Sequence, residues 1–326
     1  MEYNKIAGVE KPVARLLQGT VMLKEETRDT NRKLFDRLFE RGFTTFDTAH
    51  GYGRGGAERE LGAWIKDRGI RDDVVILTKG AHPYPPEEPQ RVAPEFIRRD
   101  VEESLERLQT DFVEIYLLHR DNPDHPVGEI VDVLHEQKEL GRIGIFGGSN
   151  WTMERVKAAN EYAAANGKTP FAISSPQFSV AEMVNPPWAG CISASGEQGE
   201  PARAWYEANG IALFTWSSLA GGFMTGKFTR DNLDTFTEYW DTNPIGAYAF
   251  ENNFQRLDRV KELANDKGAS PAQIGIAYVL SNNPRTHAIV ANWEIEQIDD
   301  NAKALDIKLT ADEIAWIELK IEDKPQ

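Results

Sequence analysis

The feature that most constrains the fold of this chain is a repeated alternation of short apolar segments with amphipathic ones. Eight short runs rich in β-branched and aromatic residues recur along the chain, and helical apolar spacing follows each of them. The predicted strands cover residues 13–18, 43–46, 74–77, 112–118, 143–146, 171–174, 211–216 and 287–290. Neighbouring parallel strands need such crossover helices, and eight repeats suit a closed barrel. We therefore predict an α/β fold, with residues 1–326 forming a single (β/α)8 barrel domain with a short N-terminal hairpin and long loops at its C-terminal face.

The acidic composition restricts the partners of the chain. The sequence has 326 residues and a formal net charge of −15, whereas nucleic acids and anionic membranes attract basic surfaces. We therefore expect neither partner. Apolar runs are too short to cross a bilayer, and the first residues do not resemble a signal peptide. With a single cysteine, Cys191, the composition predicts a cytoplasmic protein without internal disulfides.

Polar side chains stand at the ends of three successive predicted strands. Asp47 ends the second strand and is followed by Tyr52 between two glycines, Lys79 ends the third, and His119 ends the fourth. In a closed barrel these ends meet at one rim. A tyrosine pKa of about 10 is high for acid–base work near neutrality, but an adjacent ammonium lowers it. Each residue alone also suits a structural role, and only their joint arrangement favours proton transfer through Tyr52.

These residues lie in motifs that resemble the aldo-keto reductase superfamily. The motifs are residues 42–53, 76–79, 116–119, 147–150, Gln177 and residues 217–227. The resemblance covers nearly the whole chain and implies a (β/α)8 barrel that uses a nicotinamide cofactor to reduce an aldehyde or ketone, or catalyses the reverse. It implies that Tyr52 is the general acid and that Lys79 lowers its pKa. Asp47 would hold Lys79, and His119 would orient the carbonyl group.

The resemblance also implies the residues of a cofactor site. Those expected around the nicotinamide and its ribose are Gly19, Thr20, Asp47, Ser149, Asn150, Gln177 and Trp216, the last where the family usually has a tyrosine. Those expected along the pyrophosphate loop are Ser217, Ser218, Leu219 and Gly221. Backbone N–H groups in such a loop can bind an anion without adding net positive charge. Ser218 replaces a proline that is common in the family, which would loosen this loop.

The segment after the last strand departs from the pattern of NADPH-preferring members. Residues 290–297 contain no arginine or lysine, and Glu294 and Glu296 would leave a 2′-phosphate poorly paired. We therefore expect NAD(H) to be favoured over NADP(H). The residues expected at this adenosine end are Val290, Asn292, Trp293, Gln297 and Asn301. An open alternative is that Lys227, or an arginine elsewhere, binds the phosphate.

Aromatic residues in the loops after strands are candidates for a substrate pocket. The expected substrate contacts are Tyr84, Trp151 and Trp240, together with Tyr52 and His119, and further aromatic candidates are Trp188 and Tyr239. Aromatic residues in loops also often only cover the barrel ends. His50, His82 and Arg120 would add polar groups near the same rim. This mixture favours a hydroxylated or sugar-like small-molecule carbonyl or alcohol substrate.

Other chemistries have weaker support in the sequence. Residues 51–56 formally match G-x-G-x-x-G, but Thr78 and Lys79 stand where a dinucleotide fingerprint needs an acidic residue. The six histidines lack metal-binding spacing, so no metal is expected, and G-x-S-x-G is absent. Two alternatives stay open: an NAD-dependent epimerase or lyase without net redox, and a non-catalytic module that senses the cofactor.

Overall fold

The computed structural model describes residues 1–84, 90–283 and 285–325, and its centre is a closed barrel of parallel strands. A small antiparallel hairpin comes first and consists of β1 (Tyr3–Asn4) and β2 (Val13–Ala14). The barrel strands are β3 (Leu16–Gly19), β4 (Thr45–Asp47), β5 (Val75–Gly80), β6 (Val113–Leu118), β7 (Ile143–Ser149), β8 (Ile173–Ser175), β9 (Ala212–Thr215) and β10 (Thr286–Val290). They follow in chain order, and β10 closes the barrel by pairing with β3. The predicted (β/α)8 barrel and its N-terminal hairpin are confirmed.

Helices follow the strands and surround the barrel. They are α1 (Arg28–Glu40), α2 (Gly56–Arg68), α3 (Pro94–Leu108), α4 (Val127–Glu139), α5 (Met153–Ala165), α6 (Gly196–Ala208), α7 (Tyr239–Tyr248), α8 (Glu251–Lys267), α9 (Pro271–Asn282), α10 (Ile295–Ala302) and α11 (Ala311–Ile317). Helix α3 shows why they form: Pro94 occupies its first turn, and Ile97, Val101 and Leu108 share one buried face. Within the described residues, no helix has both the length and the apolar character that a membrane span needs.

Two hydrophobic layers, one between strands and helices and one inside the barrel, show which end of the barrel is closed. Along β5, Ile76 belongs to the large cluster between strands and helices, whereas Val75 and Leu77 belong to the smaller cluster inside the barrel. This alternation is the two-residue period of a strand. The inner cluster continues into Val9 and Val13 of the hairpin region. The hairpin therefore closes the end where the strands begin, and the opposite end stays open.

The structure corrects several predicted boundaries. The strand predicted at 13–18 is divided between β2 and β3, because Val13 and Ala14 pair with β1 rather than within the barrel. Residues 225–244 show no clear period in the sequence, which favours a long loop, but they include the start of α7. Residues 185–200 are also irregular in sequence, yet they include the start of α6. The prolines of segment 82–89 predict a loop, of which residues 85–89 lie outside the described residues.

Candidate active site

The C-terminal ends of the strands open into a cavity of about 1190 Å³. Asp47, Tyr52, Lys79 and His119 all line this cavity. They come from three neighbouring strands, since Asp47 ends β4, Lys79 lies in β5 and His119 directly follows β6. The structure thus brings together the four residues that were expected at one rim.

Lys79 is the centre of this group. Asp47 is in register with Leu77 on β5, so Lys79, two residues further on, projects on the same side of the sheet as Leu77. Its ammonium nitrogen lies 2.6 Å from an Asp47 carboxylate oxygen. It also donates hydrogen bonds to the Thr48 carbonyl oxygen at 2.9 Å and to the Tyr52 hydroxyl at 3.3 Å. The Lys79 side chain is only 3% exposed, so water contributes little to its solvation.

A tight turn positions Tyr52. The Tyr52 N–H donates to the Ala49 carbonyl oxygen at 3.0 Å, and the His50 N–H donates to the Lys79 carbonyl oxygen at 2.8 Å. The chain then passes through left-handed conformations at Gly53 (φ 56°) and Gly55 (φ 85°), which glycine adopts without steric cost. The glycines beside Tyr52 therefore allow a turn that joins the tyrosine to the strand carrying Lys79.

His119 completes the group from the next strand. Its N–H donates to the Gly80 carbonyl oxygen at 2.8 Å, and its ring meets the Tyr52 ring edge-on with centroids 5.5 Å apart. The His82 ring lies 4.7 Å away on another side. The Nδ1 atom of His119 is buried and has no hydrogen-bond partner among the described residues. His119 therefore keeps hydrogen-bonding capacity at the cavity wall.

Burial and charge shift the pKa values of this group. Burial disfavours the Lys79 ammonium, but Asp47 and Tyr52 together outweigh burial and raise the Lys79 pKa. Burial raises the Tyr52 pKa above 10.0, and Lys79 offsets only part of this effect. Lys79 therefore acts in the expected direction, but burial keeps the pKa of Tyr52 above its usual value. Burial, with a smaller effect of Lys79, holds the His119 pKa well below 6.5.

Most of the expected cofactor residues also line the cavity. These are Gly19, Ser149, Asn150, Trp216, Ser217, Ser218, Leu219, Gly221, Lys227, Val290, Trp293, Gln297 and Asn301. The turn after β9 has left-handed φ values at Ser217 (49°), Ala220 (51°), Gly221 (62°) and Gly222 (94°). Such turns can direct N–H groups toward an anion, although those of Ala220 and Gly222 already donate to the Ser217 and Leu219 carbonyl oxygens at 2.7 and 3.0 Å. The indole N–H of Trp216 is buried and unpartnered within the described chain.

Three expected cofactor residues lie behind the cavity wall instead of in it: Thr20, Gln177 and Asn292. The Gln177 amide donates to the Ser179 hydroxyl at 2.8 Å, and its oxygen accepts a hydrogen bond from the Ser195 hydroxyl at 3.0 Å. The Asn292 amide donates to the Gln18 side-chain oxygen at 2.7 Å. These amides are used within the protein, so the structure does not place them for direct contact with a cofactor.

The expectation that Trp151 lines a substrate pocket is wrong. Trp151 is 1% exposed and is not a wall residue of the cavity. Its ring packs 5.0 Å from that of Phe171, and its N–H donates to the Arg120 carbonyl oxygen at 3.0 Å. A Cβ atom at Gly148 would lie 2.4 Å from the indole. The absence of a side chain at Gly148 therefore lets the ring lie flat against β7, away from the cavity.

The end of the cavity that is expected to hold adenosine is acidic. Glu296 and Asp300 line it, and the Asp300 carboxylate accepts hydrogen bonds from Ser270 at 3.0 Å and from Gln273 at 2.6 Å. The Trp293 N–H donates to the Gln297 side chain at 2.8 Å. Among the described wall residues, the lysines and arginines are Lys79, Arg120 and Lys227. Lys227 forms an ion pair with Asp241.

The opposite end of the cavity is mostly aromatic. Tyr84 lines it as expected, together with His82, Arg120 and Trp188. Trp240 and Tyr239 also line the cavity, but the Trp240 ring lies 6.4 Å from the Trp293 ring, at the end expected to hold adenosine. His50 does not reach the cavity, because its ring is bound by Glu103 at 2.8 Å. Cys191, Asn243 and Tyr248 are wall residues that the sequence did not indicate. They come from segments without a regular period, so no sequence signal was present to find them.

The chemistry of the wall fits a nicotinamide dinucleotide. The left-handed turn at 217–222 can offer backbone donors to a pyrophosphate. Ser149 and Asn150 line the wall near His119, where the Ser149 hydroxyl donates to the Ser175 carbonyl oxygen at 3.0 Å and the Asn150 side-chain oxygen accepts from the Ile192 N–H at 3.1 Å. A nicotinamide carboxamide would have to share or replace these hydrogen bonds. The indole of Trp216 presents a flat face for a ring beside these groups. A bound carbonyl oxygen near Tyr52 would meet a hydroxyl donor whose partner is a charged lysine. The arrangement can therefore hold a redox cofactor and deliver a proton.

Comparison with known proteins agrees with this geometry. Residues 15–322 match the aldo/keto reductase family. The chain is 29% identical over 323 residues to the "Uncharacterized oxidoreductase YrpG" of Bacillus subtilis, covering 95% of this chain and 92% of the relative. It is 27% identical over 308 residues to the "Norsolorinic acid reductase stcV" of Emericella nidulans, covering 92% of this chain and 74% of the relative.

A solved structure supports the same conclusion. The aldo/keto reductase from Klebsiella pneumoniae, crystallised with NADP and acetate, superimposes with a TM-score of 0.70 and 25% identity, covering 95% of this chain and 92% of the other. These similarities support nicotinamide-dependent carbonyl reduction, and they do not support the epimerase, lyase or non-catalytic alternatives. The chain belongs to the aldo/keto reductase family and is an oxidoreductase.

Proposed function

We propose that this chain reduces an aldehyde or ketone to an alcohol at Tyr52, with a nicotinamide cofactor lying along the cavity from Trp293 to Trp216. The observation that carries the proposal is the contact between the Lys79 ammonium and the Tyr52 hydroxyl, 3.3 Å apart, with Asp47 2.6 Å behind the lysine. When bound, the reduced cofactor would supply the hydride that the carbonyl carbon accepts. All other steps fall to the side chains of the protein.

Tyr52 supplies the proton. Because its pKa lies above 10, the phenol is protonated near neutral pH and can donate to the carbonyl oxygen as negative charge develops there. Proton loss leaves a phenolate, which the adjacent Lys79 ammonium stabilises until a proton returns from solvent. Neutral His119 is placed at the same wall to donate a hydrogen bond to the substrate oxygen.

The charge of the adenosine end supports a preference for NAD(H) over NADP(H). Glu296 would repel a 2′-phosphate, and the segment 290–297 supplies no cation to pair with it. The charge of Asp300 is partly offset by Lys303, whose ammonium lies 3.8 Å from the Asp300 carboxylate. Lys227 is the candidate that could reverse this preference, but Asp241 already holds its ammonium. The Klebsiella structure contains NADP, so NADPH is the competing cofactor to test.

The aromatic end of the cavity supports a substrate larger than a simple alkyl aldehyde. Tyr84 and Trp188 offer flat apolar faces, while His82 and Arg120 offer polar groups. A hydroxylated carbonyl compound would use both kinds of wall.

Cofactor titration and turnover test this function together. Purified protein is titrated with NADH and with NADPH while the quenching of tryptophan fluorescence is recorded, and oxidation of each cofactor is then followed with aromatic and hydroxylated aldehydes. We expect tighter binding of NADH and oxidation that requires a carbonyl substrate. Failure of both cofactors to bind would refute the oxidoreductase, and much tighter NADPH binding would refute only the NAD(H) preference.

A further inference from the structure

Arg120 is a cation of the cavity wall next to His119, and it has no carboxylate partner among the residues that the structure describes. The other two cations of the described wall are paired, Lys79 with Asp47 and Lys227 with Asp241. The adjacent acid, Asp121, does not neutralise it, because Arg155 holds that carboxylate at 3.1 Å. An arginine without a counter-ion is unexpected in a chain with a net charge of −15.

The guanidinium of Arg120 is held in place by neutral groups. Its Nη1 donates to the His119 carbonyl oxygen at 2.8 Å, its Nε donates to the Ala189 carbonyl oxygen at 3.3 Å, and its Nη2 lies 3.8 Å from the Cys191 sulfur. These contacts use three of the five N–H donors. One N–H remains on each terminal nitrogen, which is enough for a carboxylate to accept two hydrogen bonds.

The position of Arg120 links it to the reacting groups. It follows His119 in the chain, and both residues line the same wall. Burial is the main cause of the lowered pKa of His119 and of His82, and the positive charge of Arg120 contributes to both shifts. A negative group bound to Arg120 would therefore lie within electrostatic reach of the site where Tyr52 donates its proton.

The surrounding wall makes an anion the fitting partner. The described contacts of the guanidinium are the Ala189 and His119 carbonyl oxygens and the Cys191 sulfur, and these groups cannot balance its charge. A partly desolvated cation gains most from a ligand of opposite charge. A planar carboxylate matches both the charge and the two free donors.

We propose that Arg120 binds the carboxylate of an oxo-acid substrate whose aldehyde or ketone group lies at Tyr52 and His119. This inference rests on the proposed carbonyl reduction and names its substrate class. Arg120 acts on binding and orientation, and Tyr52 remains the proton donor. The charge of Arg120 then favours an oxo-acid over a neutral carbonyl compound, which has no carboxylate to bind it.

The test compares an acid with its uncharged analogue. The rates of reduction of para-carboxybenzaldehyde and of its methyl ester are measured for the wild type, Arg120→Met and Arg120→Lys. Arg98→Met is the control, because it alters an exposed arginine that is paired with Glu136. We expect the wild type to favour the acid. In Arg120→Met, kcat/KM for the acid should fall about tenfold to a hundredfold, mainly through KM, with the ester nearly unchanged. For Arg120→Lys, kcat/KM for the acid should lie between the values of the wild type and Arg120→Met, because lysine keeps the charge and loses the bidentate geometry.

A binding measurement separates this inference from the proposed function. Calorimetric titration with para-(hydroxymethyl)benzoate needs no turnover and should show binding to the wild type and loss of binding in Arg120→Met. Equal losses for acid and ester, or equal binding by both proteins, would overturn the role of Arg120. Binding that depends on Arg120 without any carbonyl turnover would instead overturn the proposed function. Thermal unfolding of each variant shows whether the fold is intact.

Discussion

The Lys79 ammonium nitrogen lies 3.3 Å from the Tyr52 hydroxyl oxygen, although the two residues belong to different strand–loop units of the barrel. The contact stabilises a tyrosinate, while burial of the same ring stabilises the neutral phenol more strongly. Tyr52 therefore carries its proton at neutral pH and can transfer it to a carbonyl oxygen. The lysine limits the energetic cost of that transfer.

Replacing Tyr52 by phenylalanine removes the proton donor and little else. Turnover should fall by a factor of about 10² to 10⁴, the usual contribution of a general acid. Cofactor binding should be unchanged, because the pyrophosphate turn at 217–222 is untouched. Stopped-flow oxidation of the reduced cofactor and fluorescence titration measure the two quantities. Tyr3→Phe, in the N-terminal hairpin, is the matched control, and an equal loss in both variants would contradict the assignment.

The pH dependence should differ between the two directions of the reaction. Reduction needs the protonated phenol, so its rate should hold through neutrality and fall only as the pH approaches the raised Tyr52 pKa, above 10. Alcohol oxidation needs the phenolate and should rise over the same alkaline range. In Lys79→Met this rise should move to higher pH, since Lys79 lowers the Tyr52 pKa. A rise that moves to lower pH would refute the role of Lys79.

The pH dependence of the reduction rate should show no titration of His119 near pH 6.5. Its pKa lies well below that value because the ring is buried, so the neutral form persists through mildly acidic conditions. The rate of reduction should therefore stay level as the pH falls through 6.5. A loss of kcat that is centred there and disappears in His119→Gln would show that the histidine titrates normally.

Breaking the buried ion pair of Asp47 and Lys79 should destabilise the protein. Lys79→Met leaves a carboxylate that is 4% exposed without its partner, and such losses cost about 3–5 kcal/mol of unfolding free energy. The double variant Asp47→Leu/Lys79→Met removes both charges and should recover much of that loss. Urea unfolding of the single and double variants provides the comparison. If both lose the same free energy, the pair does not determine the stability of this site.

A cation at Ala291 should increase NADPH affinity. Ala291 lines the acidic adenosine end, so Ala291→Arg would place a guanidinium where the 2′-phosphate lacks a partner. A charge-assisted hydrogen bond contributes about 1.5–3 kcal/mol, which corresponds to roughly tenfold to hundredfold tighter binding. Ala291→Gln controls for side-chain size, and NADH affinity should change little. Fluorescence titration measures the affinity of each variant for NADPH and NADH. Equal NADPH affinity of Ala291→Arg and Ala291→Gln would contradict the expectation.

Two glycines should respond differently to alanine. A Cβ atom at Gly147 in β7 would lie 1.9 Å from the Ile173 carbonyl oxygen of β8, so Gly147→Ala should destabilise the barrel by at least about 1–3 kcal/mol. Gly246 in α7 has open space around its Cβ position, so Gly246→Ala should stabilise the helix by about 0.5–1 kcal/mol. Urea unfolding measures both, and equal changes would contradict the packing around β7.

The barrel and the convergence of Asp47, Tyr52, Lys79 and His119 were predictable from the sequence. Strand period and helix period are local properties, and eight repeats leave few arrangements other than closure. Once the strands are parallel, the residues at their carboxyl ends must lie on one rim. The division of residues 13–18 was not predictable, because Val13 and Leu17 look alike in sequence and differ only in which strand pairs with them.

The sequence by itself determined the strand–helix order and the four residues at the barrel rim. The tertiary structure decided that Trp188 faces the cavity while Trp151 packs behind β7, and that Gln177 binds serines of its own chain. It also decided that the Tyr52 pKa is raised and that Arg120 has no carboxylate partner among the described residues. The physical reason is that burial and charge pairing depend on segments far apart in sequence, whereas periodicity depends only on near neighbours.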